Sequence, residues 1–338
     1  MKAGLLVLGQ YLPDRLVTIA RLAEELGYDY FWFADEKFYW DPWVGLTLVA
    51  ANTRRIRVGP GVTEPYARHP ALTAMAAASL ACVAPGRTVL GIGAGGPGFP
   101  ELGVERVSPA TAIPEAVELI RRLLAGERVD YQGRVIRFRN GRLQVLPPEP
   151  VPIFVAARGP RMIEAAARVG DGVIIAPYAS PQGVAYARGL IEKALRAAGR
   201  SRSELQVALR VDLAIARNRS EALEAARYWV ALPLWVSYPN WSYLKPLGDL
   251  AVPGAARELI ARRDYSLLPQ IASHLSETFV SELAVAGTPE EVGERFRAIA
   301  RQGVDQIIIH PVPTGDFSLE DTIRYFACEI LDSLRGEA

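Results

Sequence analysis

The sequence predicts an α/β protein, a (β/α)8 TIM barrel with insertions. Eight short apolar runs rich in β-branched residues recur along the chain, and amphipathic helical stretches separate them. Most of the runs lack polar alternation, which is the pattern of strands buried on both faces of a parallel sheet. Eight regular units favour closure over an open doubly wound sheet, the alternative architecture.

The first run, residues 3–8, precedes a helix in which Leu16, Ile19, Ala20, Ala23 and Leu26 share a face and Gly27 is the stop. Strands at 30–34, 56–62 and 88–92 alternate with helices at 42–52, 70–83 and 112–124. Strands at 153–156, 173–175, 206–216 and 306–310 follow, with helices at 161–169, 182–198, 220–228, 289–301 and 320–334. A typical barrel needs about 250 residues. The excess falls in two insertions within one domain spanning 1–338, at about 129–145 and 231–281. In the first, Gln132-Gly133 between β-rich runs reads as a hairpin. The second packs Trp229, Trp235, Tyr238, Trp241 and Tyr243 in or beside it, which suits a pocket wall or a subunit interface.

Composition excludes several classes. Thirty-eight basic against 37 acidic side chains give a net charge of +1, without the footprint of a nucleic-acid binder. No window reaches the ~20 unbroken apolar residues of a membrane span. The first residues read as a buried strand, not a signal peptide. Cys82 and Cys328 lie far apart, which excludes a disulfide scaffold or zinc ribbon, and no metal site is expected. A cytoplasmic protein without a nucleic-acid or membrane partner is the expectation. Cys82, on an Ala-rich helix, reads as an interior small hydrophobe.

Barrel enzymes place reacting groups at the C-terminal ends of the strands. That rule selects Asp35 and Glu36, Gly61 to Glu64, Gly93 to Gly96, Arg158 to Pro160, Asp171-Gly172 and His310. Gly91 to Gly96 formally matches GxGxxG, but Pro97, Gly98 and Pro100 follow where a dinucleotide fold requires a helix. Two readings of these glycines stay open, a tight turn or room for a flat ring, and Gly93 and Ala94 are taken as lining the latter. Arg158-Gly159-Pro160 is the anion-site candidate. Gly159 lets the backbone approach, Pro160 suits a first helical turn, and the helix offers unpaired N–H groups. The competing reading of Arg158 is a surface ion pair. Asp171-Gly172 reads as a structural turn.

The segments GVTEPYARHPALTA, PGRTVLGIGAGG and VPIFVAARGPRMIEAAARVGDGVI resemble the bacterial-luciferase-like superfamily of flavin- and deazaflavin-dependent oxidoreductases. The branch most resembled is the coenzyme F420-dependent one that includes methylenetetrahydromethanopterin reductase, over nearly the whole chain. The resemblance implies coenzyme F420, or alternatively FMN, at the C-terminal face, and hydride transfer to or from a small, possibly pterin-like, substrate. An FMN-dependent monooxygenase and a non-catalytic flavin-binding barrel are the alternatives. A homodimer is expected from the resemblance and from how common twofold dimers are.

The resemblance places Asp35 against the cofactor; a helix cap or salt bridge is its structural alternative. Glu36 stands where the family often carries a catalytic His, and donates a proton only if burial raises its pKa. Gly61-Val62 matches the family's non-prolyl cis peptide against the ring, and Thr63 follows as a hydrogen-bonding candidate. Ala94 replaces the Glu of some sugar-phosphate and alcohol dehydrogenases of the family. The expected cofactor-binding set is thus Asp35, Gly61, Val62, Thr63, Gly93, Ala94, Arg158, Gly159 and Pro160, with Glu36 catalytic. Of the three histidines, His69 reads as a helix-entry residue and His274 as surface. His310 has the best strand-end position but no role from the resemblance.

Overall fold

The computed structural model describes residues 1–248 and 250–336. Residue 249 of the expected second insertion and the last two of the expected 1–338 span lie outside the described residues. The strands are β1 (Lys2–Val7), β2 (Tyr30–Phe33), β3 (Arg57–Pro60), β4 (Leu90–Ile92), β5 (Val129–Gln132), β6 (Arg137–Gly141), β7 (Ile153–Ala157), β8 (Gly172–Ile175), β9 (Gln206–Ile215), β10 (Val285–Gly287) and β11 (Gln306–Val312). Eight are hydrogen-bonded in the order β3-β2-β1-β11-β9-β8-β7-β4, and the pairs along it are parallel. β5 and β6 form a separate antiparallel hairpin, and β10 adds to the C-terminal half of β9.

The seam between β3 and β4 closes the barrel. Val58 N donates to Arg87 O at 2.8 Å and Val89 N to Val58 O at 3.0 Å. Here glycine is required: a Cβ on Gly59 would stand 1.9 Å from Val89 O, and one on Gly91 2.3 Å from Pro60 O. The strand expected over 56–62 ends at Pro60, although Gly61 N still donates to Phe33 O at 2.7 Å; a cis peptide joins Gly61 to Val62. Thr63 rejoins the ladder, donating to Gly91 O at 3.0 Å and accepting from Gly93 N at 2.8 Å.

Inside the barrel, Tyr30 stacks on Trp32 with centroids 5.6 Å apart, and Phe154 meets Trp32 edge-on at 5.5 Å. With Leu6, Val89, Ile174, Ala208 and Ile308 these rings form a solid plug. The plug is a floor, so any ligand of the barrel stands above it, at the C-terminal mouth.

The helices are α1 (Pro13–Glu25), α2 (Pro42–Asn52), α3 (Pro70–Val83), α4 (Pro109–Leu124), α5 (Pro160–Val169), α6 (Pro181–Ala197), α7 (Arg219–Ser237), α8 (Gly254–Ala261), α9 (Leu268–Ser273), α10 (Glu277–Leu283), α11 (Pro289–Ala300), α12 (Leu319–Tyr325) and α13 (Asp332–Gly336). Helices α1 to α6 and α11 all begin at Pro, whose missing N–H costs nothing in the first turn. A π-helical stretch, Phe326–Leu331, joins α12 to α13 where one continuous helix was expected. α7 runs on through Pro233 to Ser237, so the first residues of the expected 231–281 insertion are helix, and the rest is mainly short helices. β4 ends at Ile92 and no helix begins before Pro109, which removes the dinucleotide reading of the glycine run. Cys82 corrects the sequence reading: it is exposed on the outer side of α3. Among the described residues no helix is long and apolar enough to cross a membrane, and no cluster of side chains would hold a metal ion.

Candidate active site

The C-terminal mouth gathers small residues from successive strands. Ala34, Gly61, Gly91, Gly93 and Ala156 follow the floor residues, and the Val62 side chain lies over Gly91 and Gly93. A Cβ on Gly93 would meet Val62 Cγ2 at 2.9 Å and Ala156 Cβ at 3.2 Å, so this wall is backbone and methyl groups. That suits a flat ring better than a polar chain. The cis peptide that the resemblance implied is present between Gly61 and Val62.

Asp35 and Thr63 meet at the edge of this wall. The Thr63 hydroxyl, fully buried, donates to Asp35 Oδ2 at 2.6 Å, so its own proton is committed to the carboxylate and not to a ring. Burial pushes the Asp35 carboxyl above its ordinary value, against the opposing effects of Thr63 and Lys37. The cap reading of Asp35 falls, because α2 is capped by Asp41, whose carboxylate accepts from Trp43 N and Val44 N.

Glu36 is no solvated turn carboxylate. It is half-buried beside Gly96, where an added Cβ would meet Oε2 at 3.2 Å. Burial pushes its carboxyl from 4.5 to about 7, Asp35 adding to the shift and Lys37 and Arg210 opposing it. A carboxyl poised there can hold or release a proton near neutrality.

Arg158 is occupied differently from the anion-site expectation. Its Nη1 donates to Pro233 O at 3.1 Å and to Ser237 Oγ at 2.6 Å, at the C-terminus of α7. It is not a surface ion pair either. Arg106 Nη2 reaches Val236 O at 3.0 Å, Arg263 reaches Trp235 O, and Trp241 Nε1 reaches Leu234 O at 2.8 Å. Three guanidiniums thus meet the exposed carbonyls and negative dipole end of one helix. Gly159 caps α5 without a side chain, Pro160 opens the helix, and Ser242 stands beside Gly159, 3.4 Å from where a Cβ would be.

The aromatic cluster serves the protein's own packing. Trp235 lies under the Arg263 guanidinium at 3.9 Å, and Tyr243 is buried beneath Arg158. Trp229 instead packs edge-on against His310 at 4.4 Å.

Sequence reasoning missed three sets of contacts, although Glu64 itself was selected as a strand-end residue. Lys37 and Glu64 form a buried ion pair of 3.1 Å, and Glu64 also accepts from Tyr66 N and Ala67 N. Arg106 belongs to the α7 clamp. Arg210 and Asp212 alternate on β9 with the interior residue Ala208, and that period of two inside an apolar run was the available signal. His69, by contrast, has the helix-entry role expected: Nδ1 accepts from Ala71 N at 3.1 Å, and Nε2 pairs with Arg137 O at 3.0 Å. His274 is exposed, and Asp171 holds Ile153 N and Arg121 as a structural turn.

Residues 4–306 match the family model described as luciferase-like monooxygenase. The chain is 33% identical to 5,10-methylenetetrahydromethanopterin reductase of Archaeoglobus fulgidus, over 99% of this chain and 100% of that protein. It is 35% identical to F420-dependent glucose-6-phosphate dehydrogenase of Kineococcus radiotolerans, over 67% of this chain and 71% of that one. Among solved structures, the coenzyme F420 dependent tetrahydromethanopterin reductase of Methanopyrus kandleri superposes with a TM-score of 0.84 at 26% identity, covering 98% of this chain and 99% of that chain. A family match over most of the length and a relative aligned end to end lead to one conclusion: the chain belongs to the luciferase-like monooxygenase family.

Proposed function

We propose that this protein is a coenzyme F420-dependent oxidoreductase that exchanges hydride with a small, pterin-like organic substrate. The observation that carries the reading is the end-to-end similarity to a methylenetetrahydromethanopterin reductase, joined by a second relative named as F420-dependent. The mouth fits the group. Gly91 and Gly93 let Val62 pack directly against the β3–β4 seam, leaving a wall of backbone and methyl groups for a flat ring. Asp35 and Thr63 supply polar edge contacts beside it, and the uncapped start of α5 at Gly159 and Pro160 suits an acidic tail. Ala94 adds no carboxylate to the wall. The bound deazaflavin supplies the hydride chemistry; the protein orients the partners and keeps water away. Glu36 is the proton-holding candidate.

The test is titration of the purified protein with F420 and with FMN separately, followed by absorbance and by retention on gel filtration. Retention of F420 is expected, together with oxidation of its reduced form by methylenetetrahydromethanopterin. The family description favours a second reading, oxygen activation on FMN. FMN retention with oxygen consumption, and no F420 binding, establishes that reading instead.

A homodimer is part of the proposal. The outer faces of α2 and α3 expose Val44, Leu72, Met75 and Val83, an apolar surface suited to a second copy of the chain.

A further inference from the structure

A second titratable group stands at the mouth, two strands round the barrel from Glu36, on β11 beyond β1. β9 and β11 are adjacent, and their register sets His310 directly beside Asp212. His310 lies on the same face of β11 as Ile308, a plug residue, so its ring rises from the floor toward the C-terminal end. Nδ1 is 2.8 Å from Asp212 Oδ1. The same carboxylate receives both arms of Arg210, Nη1 to Oδ2 at 2.7 Å and Nη2 to Oδ1 at 2.6 Å. Trp229 closes the ring's flank at 4.4 Å. Orientation is therefore fixed from two sides, a charged one and an apolar one.

The arrangement decides which nitrogen carries the proton. Asp212 is bound by a guanidinium and is an acceptor only, so Nδ1 must bring the hydrogen. Burial alone would raise Asp212, but Arg210 and His310 outweigh it and hold the carboxyl low. Burial lowers the imidazole, with Arg210 adding to that and Asp212 opposing, so the ring is neutral at pH 7. Nε2 is then a bare lone pair, and it makes no hydrogen bond to the described residues. The His310 side chain is 7% exposed against 1% for Asp212, so of the pair the imidazole is the less deeply covered. Arg210 also acts on Glu36, which places the triad within electrostatic range of the proposed site.

We propose that His310 Nε2 is the site's fixed proton acceptor, taking the O–H or N–H proton of the substrate, with Asp212 and Arg210 as positioning residues. The inference rests on the hydride-transfer reading above. In the oxidative direction, the substrate C–H bond breaks and its electron pair leaves as hydride to the deazaflavin. The neighbouring O–H or N–H bond breaks, its electron pair forms the new bond to carbon, and its proton goes to Nε2. The imidazolium so formed is stabilised by the Asp212 carboxylate. In the reductive direction the same proton returns. The substrate class is therefore one with an ionisable O–H or N–H adjacent to the carbon that exchanges hydride.

Two measurements test this. The first needs no cofactor: long-range proton–nitrogen correlation spectra of the histidine-labelled apo protein at pH 7. The chain has three histidines, so the His310→Gln spectrum assigns the signal. A neutral Nδ1–H tautomer is expected; an Nε2–H tautomer or an imidazolium overturns the proposal. The second follows single-turnover absorbance change of reduced F420 with methylenetetrahydromethanopterin in wild type and His310→Gln. The variant should lose about a hundredfold or more in rate, with F420 affinity and substrate KM within about threefold of wild type. An unchanged rate overturns the proposal, and so does a loss carried wholly by KM. If F420 binds neither protein, the cofactor reading fails while the tautomer measurement still decides His310's state.

Discussion

At the scale of single residues, the mouth holds two carboxyls that burial has moved in the same direction, Asp35 and Glu36. For Glu36 the consequence for stability is specific. The native state keeps its proton up to about 7, whereas the unfolded chain releases it near 4.5. The native state is thus not penalised below 4.5 and loses stability progressively as pH rises through that window. The full penalty amounts to about 3 kcal/mol. Glu36→Gln removes the charge without the volume. Urea denaturation should therefore show the variant matching wild type at pH 4 and exceeding it by up to about 3 kcal/mol at pH 8. Equal stability at both pH values would mean that the carboxylate is well solvated. This residue was legible in the sequence because it follows a buried strand run; Glu64 was legible by the same rule, but its pairing was not, because Lys37 comes from another loop. Thr63 was legible as polar but not in its partner, since Asp35 reaches it only after the barrel closes.

At the scale of elements, local chemistry and tertiary context divide the outcome. All eight barrel strands and the helices flanking them follow from apolar runs and periodicity, while α4, α5 and α6 begin one to three residues earlier than expected, each at a Pro. β10 was invisible because three residues against the end of β9 leave no periodic signal. β3 came out shorter because the ladder is interrupted at Val62, between the bonds of Gly61 to Phe33 and of Thr63 to Gly91. His69 shows how one side chain ties two elements together. Nδ1 accepts at the N-cap of α3, so Nε2 carries the hydrogen and donates to Arg137 O in the hairpin strand β6. His69→Ala loses both bonds and should lower the unfolding free energy by about 2 kcal/mol, roughly half from the cap. His69→Asn keeps a capping oxygen and should recover about 1 kcal/mol of it. Urea midpoints measure both, and F420 affinity should stay at the wild-type value in each. A selective loss of F420 affinity would instead move His69 into the site.

At the scale of the whole molecule, one helix end gathers contacts from the barrel loops and the insertion. Arg106 from the β4 loop, Arg158 from the β7 loop and Arg263 from the insertion converge on the last turn of α7. No local pattern foretells such a convergence, since each arginine reads separately as surface charge or anion ligand. The outer surface is more legible. α3 buries Thr73, Ala74, Ala77, Ala78, Leu80 and Ala81 inward, yet its outward positions are also largely apolar, with Leu72 49% and Met75 51% exposed. α2 continues the surface with Val44 at 60% exposure. A helix apolar on nearly all sides calls for cover on all sides, and one barrel covers only half of it. A second copy meeting this face across a twofold axis would bury the remaining stripe. Light scattering after gel filtration at micromolar concentration should therefore show a dimer for wild type. The double substitution Leu72→Glu and Met75→Glu sets four like charges at that axis and should yield a monomer with an unchanged far-UV dichroism spectrum. A wild-type monomer, or a double variant that remains dimeric, would leave the stripe uncovered or move the contact to another face.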